Sequence, residues 1–141
     1  MFVIDASLAL AWCFEDEVTP YADAVLSRLG QDEAVAPSIW PLEVANGLRS
    51  AERRGRIDER ELPGVAQLLL ALPIRIDDVT LDAALGEVLQ LARALGLSSY
   101  DASYVALALR HAVPLATLDD PLARAATAAG AELLGLGSAS G

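Results

Sequence analysis

Four acidic residues stand where an apolar run ends or a helix opens. Asp5 closes the run Phe2-Val3-Ile4, and Glu43 lies in the first turns of a helical stretch that follows Ala34–Pro37. Asp101 falls in the first turn of a helix after Ser98-Ser99-Tyr100, and Asp119 ends the run Pro114–Leu118. If they converge, four carboxylates about 6 Å apart form six pairs, each costing roughly 3 kcal/mol at an effective dielectric of 20 and on the order of 15 kcal/mol together. That rivals the whole stability of a domain. Such a cluster must bind a cation or take up protons. Hard oxygen ligands with room for water suit Mg²⁺ or Mn²⁺ rather than zinc. An ion held there would support phosphodiester chemistry, by lowering the pKa of water and neutralising charge on a phosphoryl transition state. Taken singly, Asp101 and Glu43 have a simpler explanation, because helix capping and the helix dipole alone favour acids at these positions.

The elements that must position these residues alternate from end to end. Phe2–Ile4 reads as a short buried strand and Ala6–Phe14 as a helix running into the acidic patch Glu15-Asp16-Glu17. Thr19-Pro20 is a cap followed by proline at the first helical position, with the helix running to Gly30. Ala34–Ala36 is strand two, and Ser38–Arg54 a helix stopped by Gly55, with Pro41 tolerated in its first turn. Asp58 and Glu61 have capping-box spacing ahead of the helix carrying Leu68–Leu72. Ile74–Ile76 is strand three. Leu81, Leu85, Val88, Leu89, Ala92 and Leu95 repeat at helical spacing up to Gly96. Ser98 and Asp101 again have capping-box spacing, and the helix they open is apolar on most sides, as a buried helix is. Leu115–Leu118 is strand four, Pro121–Ala129 a helix and Glu132–Leu136 a short final strand. Asp120, just before Pro121, reads as a cap for that last helix. Strands alternating with helices imply a parallel sheet covered on both faces, in which ligands bind beyond the carboxyl ends of the strands.

Composition narrows the function. The chain has 141 residues, enough for one domain with a real core, and 54% hydrophobic against 21% charged residues marks it as globular. The apolar first fourteen residues are interrupted by Asp5 and preceded by no basic segment, so they read as core rather than signal peptide. No apolar run approaches the roughly 18–20 residues that span a bilayer. A cytoplasmic protein is expected, and the lone Cys13 excludes an intramolecular disulfide. The net charge of −10 argues against non-specific attraction to nucleic acid, although a metal cluster would bring positive charge of its own. All ten basic residues are arginines, five of them between Arg49 and Arg60. Arg49, Arg53, Arg54 and Arg56 are candidates to contact an RNA backbone, or a solvated face paired with Glu52, Glu59 and Glu61. His111, the only histidine, sits in the last turn of its helix, where the dipole favours a cation, and reads as structural. Trp12 and Trp40 read as core or interface anchors.

The chain resembles the PIN-domain family, and within it the VapC ribonuclease toxins of bacterial toxin–antitoxin modules. The matching segments are Val3-Ile4-Asp5-Ala6-Ser7, Pro41-Leu42-Glu43-Val44-Ala45-Asn46-Gly47-Leu48 and Arg53-Arg54-Gly55-Arg56-Ile57. They continue in order with Gly96-Leu97-Ser98-Ser99-Tyr100-Asp101-Ala102 and Leu115-Ala116-Thr117-Leu118-Asp119. No single segment is specific, but the ordered set is. The resemblance implies a single PIN domain over residues 1–136 with a tail at 137–141. It implies a three-layer α/β/α sandwich whose parallel sheet has about five strands in the order 3-2-1-4-5. It further implies a metal site at Asp5, Glu43, Asp101 and Asp119, with Glu43 bound directly or through water, and supporting polar residues Ser7, Asn46 and Thr117. The activity implied is an Mg²⁺- or Mn²⁺-dependent endoribonuclease using metal-activated water, with a VapB-like antitoxin and a second copy of the chain as partners. A stand-alone RNA-processing nuclease and a catalytically silent module that binds RNA or protein are the alternatives. Response-regulator receivers and haloacid-dehalogenase phosphatases, which also place Asp after strand one, depend on a lysine that this chain lacks.

Overall fold

The computed structural model describes residues 1–135. Every residue of β1 (Phe2–Ile4) is buried, as a short apolar run must be when both faces of its sheet are covered. It pairs in parallel with β2 (Ala34–Pro37) on one side and β4 (Leu115–Ala116) on the other; β3 (Ile74–Asp77) pairs in parallel with β2. The order is β3-β2-β1-β4. The expected fifth strand shrinks to a single parallel bridge between Leu115 and Leu133, held by Leu115 N–H donating to the Glu132 carbonyl and Leu134 N–H donating to the Leu115 carbonyl. Leu136 and the tail lie outside the described residues. Among the described residues the sheet thus has four strands in the expected order, and helices flank it.

The helices are α1 (Ala6–Cys13), α2 (Pro20–Arg28), α3 (Trp40–Arg53), α4 (Leu62–Leu70), α5 (Leu81–Ala83), α6 (Leu89–Leu95), α7 (Ser99–His111) and α8 (Asp120–Ala128). Glu15–Glu17 forms a turn of 3₁₀-helix. Thr19 caps α2 with its hydroxyl, and Pro20 occupies the first position, as the spacing predicts. Gly55, at φ +73°, ends α3 in the left-handed conformation that side chains other than glycine's resist. The Asp58–Glu61 box forms reciprocally, each side chain accepting the other's backbone N–H at 3.0 Å, yet the helix proper begins one residue later, at Leu62. The helical repeat over Leu81–Leu95 conceals a π-turn at Ala84–Val88 between α5 and α6. One inserted residue barely disturbs a 3.6-residue pattern, so periodicity does not register it.

The core centres on β1, β2 and β4 and the inner faces of α1, α2 and α7. Seven consecutive residues of α7, Ala102–Ala108, are buried, matching the all-round apolar reading. Helices α1 and α3 meet at Gly47, where a Cβ would stand 2.4 Å from a Leu10 methyl. That contact sets how closely the helix carrying Glu43 approaches the helix that follows Asp5. Both tryptophans pack into the core: Trp40 is buried, and the half-buried Trp12 donates its indole N–H to the Ala22 carbonyl at 2.8 Å.

Candidate active site

Each of the four acids sits at the N-terminus of a different helix. Asp5 caps α1, its carboxylate accepting the Ser7 N–H; Glu43 and Asp101 lie in the first turns of α3 and α7; Asp119 caps α8, accepting the Leu122 N–H at 3.0 Å. The positive ends of four helix dipoles therefore favour charge at these positions. Two local expectations change. Strand β4 stops at Ala116, so Asp119 lies three residues beyond it and takes the capping role expected of Asp120. Asp120 is instead the exposed first residue of α8. At Ser98 the hydroxyl accepts the Asp101 N–H at 3.1 Å.

Asp5 is 4% exposed, and burial pushes its carboxyl up to about 6; hydrogen bonds from Ser7 and Thr117 pull the other way, while the charge of Asp119 adds to the rise. Ser7 donates both its N–H (3.1 Å) and its hydroxyl (2.6 Å) to Asp5 Oδ1, and Thr117 donates its hydroxyl to Oδ2. The same hydroxyls accept backbone N–H groups, Ser7 from Leu118 and Thr117 from Asp119, both at 2.9 Å. Ser7 and Thr117 thus tie the chain after β4 to the chain after β1 through the Asp5 carboxylate. Burial, with the neighbouring charge of Asp101, also holds Glu43 above the usual carboxyl range, against the lowering effect of a hydrogen bond from Tyr104. Burial and the charge of Asp119 raise Asp101. The charges of the four acids are thus coupled in sequence, Asp5 to Asp119, Asp119 to Asp101 and Asp101 to Glu43.

Tyr104 is the participant that sequence reasoning missed. It is 1% exposed, and its hydroxyl donates to Glu43 Oε1. Burial, that bond and the charges of Glu43, Asp5 and Asp101 drive its own pKa far upward, so it remains a phenol and a hydrogen-bond donor. It stands one helical turn after Asp101 on α7, a spacing that places both on one face. Asn46, three residues after Glu43 on α3, is exposed.

The donor set is composed of oxygen alone. Of the four acceptor positions of an ionised carboxylate, Asp5 uses three; Glu43 keeps Oε2 and Asp119 keeps Oδ2. This chemistry fits a hard divalent cation. As the side chains stand, however, no group of three or more His, Cys, Asp or Glu among the described residues is arranged to hold a metal ion. Closure on an ion therefore requires rotation of side chains. Asp101, half-buried and without a side-chain hydrogen bond to its carboxylate among the described residues, has the most freedom for it. Glu43 and Asp119 each have one oxygen held, by Tyr104 and by the Leu122 N–H.

Residues outside the cluster are committed elsewhere. His111 lies ten residues beyond Asp101, about 15 Å along α7, and faces Asp77 at 3.0 Å. Burial pushes the Cys13 thiol up to about 11, leaving no thiolate nucleophile at neutral pH. The arginine face divides. Arg56 reaches Asp16 at 2.7 Å and Glu17 at 2.8 Å and stacks over Phe14, and Arg49 pairs with Glu52 at 2.9 Å. Among the described residues no carboxylate pairs with Arg53 or Arg54, and both are exposed. Of the four candidates, these two remain free for a phosphate backbone.

Residues 2–128 match the family model of the PIN domain, and the chain belongs to that family. Solved structures that share the fold include three of diverse origin. PAE2754 from Pyrobaculum aerophilum is 24% identical, over 88% of this chain and 83% of that one, with a TM-score of 0.66. FitAcB from Neisseria gonorrhoeae is 18% identical, over 96% and 97%, with a TM-score of 0.61. Mycobacterium tuberculosis VapC20, described as a sarcin–ricin loop cleaving toxin, is 16% identical, over 95% and 98%, with a TM-score of 0.62. No curated protein matches the chain. Among the described residues no helix is long and apolar enough to cross a membrane.

Proposed function

We propose that this PIN domain is a divalent-metal-dependent endoribonuclease, working in the cytoplasm as the toxin of a two-protein module. The observation that carries the reading is the set of four carboxylates at four helix N-termini, coupled in a chain from Asp5 through Asp119 and Asp101 to Glu43, three of them with raised pKa values. Asp5, Asp101 and Asp119, with Glu43 directly or through water, would hold Mg²⁺ or Mn²⁺. When bound, the cation supplies charge neutralisation at the scissile phosphate and a lowered pKa for water. The chain's own contribution is positional. Ser7 and Thr117 hold Asp5 ionised against its burial, Tyr104 fixes Glu43, and four helix termini offset the repulsion. The likeness to VapC20 supports the toxin reading.

A toxin needs a restraining partner. A carboxylate cluster on a chain of net charge −10 suits an arginine-bearing antitoxin segment, since Arg pairs with carboxylates bidentately. Leu81 (72% exposed) and Leu85 (64%), one turn apart, form an apolar face fit for a second copy of the chain or for the antitoxin.

Purified protein with Mg²⁺ or Mn²⁺ is expected to cleave single-stranded RNA to 5′-phosphate and 3′-hydroxyl ends. Co-expression of the adjacent small reading frame is expected to suppress the activity and yield a co-purifying complex. Cleavage that persists in EDTA would defeat the proposal, as would ends carrying 2′,3′-cyclic phosphate, which would transfer the chemistry to the RNA 2′-hydroxyl. A catalytically silent module is the second reading, favoured by the absence of a preformed three-ligand arrangement among the described residues. Failure to cleave any RNA with either ion would select it.

Arg53 and Arg54 provide a separate check. Reversing both to Glu is expected to weaken RNA binding and flatten its salt dependence by about 0.7 log units for each phosphate no longer neutralised. An unchanged slope would return them to the solvated surface.

A further inference from the structure

Beside the carboxylates lies a groove of about 370 Å³ whose lining carries no charged residue. Its walls are Ile39 and Leu42 at the start of α3, Val79, Val88 of the π-turn, and Tyr100 and Ser103 of α7. Two of these are the immediate chain neighbours of proposed site residues, Leu42 of Glu43 and Tyr100 of Asp101. Both are strongly exposed, Leu42 at 67% and Tyr100 at 61%, in a chain with few aromatics. Around them the groove is firmly built. Ser103 donates its hydroxyl to the Tyr100 carbonyl at 2.6 Å, and Ser38 accepts the Val79 N–H at 3.2 Å, pinning the chain after β3 against the start of α3.

We propose that this groove receives the base of the nucleotide next to the scissile phosphate, with Tyr100 as its stacking platform and Leu42 as the opposing wall. The inference rests on the nuclease reading and deepens it by assigning the residues that read the substrate. The size is at the lower end of small-ligand pockets and suits one flat ring system. Charge selects the occupant. With a net charge of −10, phosphate contacts from the two free arginines Arg53 and Arg54 can supply only part of the affinity, and the uncharged part of the nucleotide must supply the rest. Bases stack on aromatic side chains whatever the sequence, and the apolar walls and hydroxyls add discrimination by shape and hydrogen bonding. Because Leu42 and Tyr100 adjoin Glu43 and Asp101 in the chain, a nucleotide whose phosphate is processed at the cluster would have its base within reach of the groove.

The test begins by mapping the cleavage site of the wild-type protein on a mixed-sequence single-stranded RNA. Oligonucleotides are then made with an abasic ribose on one side of the site or the other. The wild type should lose about 10- to 100-fold in kcat/KM, chiefly through KM, at one of the two positions. Tyr100→Ala should lose a similar factor on intact RNA and almost nothing more on that abasic substrate, whereas Tyr100→Trp should retain both affinity and the abasic penalty. Anisotropy of the labelled RNA on an Asp5→Asn background should show the same non-additivity without turnover. Independent, multiplicative losses, or intact-RNA kinetics unchanged in Tyr100→Ala, would overturn the assignment while leaving the nuclease reading intact. Unchanged kinetics combined with loss of antitoxin binding would give the groove to the protein partner instead. A wild type that cleaves no RNA would remove the nuclease reading, and the base pocket with it.

Discussion

Replacing Asp5 with Asn is expected to lower metal-dependent RNA cleavage by at least ~100-fold, the upper end of the loss seen when even an outer partner of a metal site is removed. The same change should cost the metal-free protein little stability near neutral pH. The reason is the burial of the carboxylate. In the folded chain Asp5 keeps its proton up to about pH 6, against an ordinary value of 3.8. A carboxyl whose folded pKa lies above its unfolded value is most favourable when protonated. Its contribution is therefore greatest below about pH 3.8, declines as pH rises to 6, and stays at its minimum above that. The gap corresponds to about 3 kcal/mol. Asn escapes this cost but accepts through one oxygen only. That oxygen can keep both donors from Ser7, while the Asn amide would face Thr117, whose hydroxyl must turn to accept it. Weakening that bond costs about 1–3 kcal/mol. The two effects nearly cancel at pH 7.5. Below pH 4 only the second remains. The stability difference between mutant and wild type should thus move by about 3 kcal/mol in the mutant's favour between pH 3.5 and 7.5, measurable by urea unfolding at the two pH values. Mg²⁺ or Mn²⁺ should raise the wild-type Tm by the linkage relation and raise that of the mutant much less. A pH-independent difference, with equal metal response, would make Asp5 a structural cap alone.

The four acids were legible because each carries a local signature, an acid at the junction of an apolar run with a helix start, and such signatures survive without knowledge of the fold. The parallel sheet was legible for the same reason: β1 and β2 are uninterrupted apolar runs separated by helical segments, the apolar α1 and the amphipathic α2. What escaped depends on non-local pairing. Strand β4 ends at Ala116, because Ser7 and Thr117 take over the backbone donors of Leu118 and Asp119 that a longer ladder would have used. The cap moved from Asp120 to Asp119 because Pro121 occupies the second helical position rather than the first. The last strand reads as apolar from Leu133 onward, yet among the described residues only Leu133 bridges to β4. The arginine face read as one surface, but an acidic turn 40 residues earlier in the chain claims Arg56. Tyr104 was hidden by its neighbours. In a helix apolar on nearly all sides a tyrosine reads as core, and its partner Glu43 lies 61 residues away.

That partnership supports the second large effect. Tyr104→Phe keeps the buried ring and deletes only the hydroxyl, so packing of α7 against β1 and β2 should survive. Glu43 then loses the hydrogen bond that opposes its burial, and its pKa should rise further above the usual carboxyl range. A larger fraction of Glu43 is protonated at mildly acidic pH, and the side chain is no longer held toward α7. Both changes weaken a cation site while leaving its remaining oxygens in place. The mutant is expected to bind Mn²⁺ about 10- to 100-fold more weakly by calorimetry. At saturating ion, cleavage should recover to within a few-fold of wild type, with the acid limb of its pH profile displaced to higher pH. A buried tyrosine serving only the core predicts a different pattern: a lower Tm from the missing hydrogen bond, with ion affinity and pH profile unmoved. The distinction matters beyond one residue. If the ion affinity falls as expected, the α7 helix supplies both Asp101 at its exposed end and, one turn inward, the buried donor that holds Glu43 of α3. The cluster would then be assembled by packing of the helix core as well as by the strand ends.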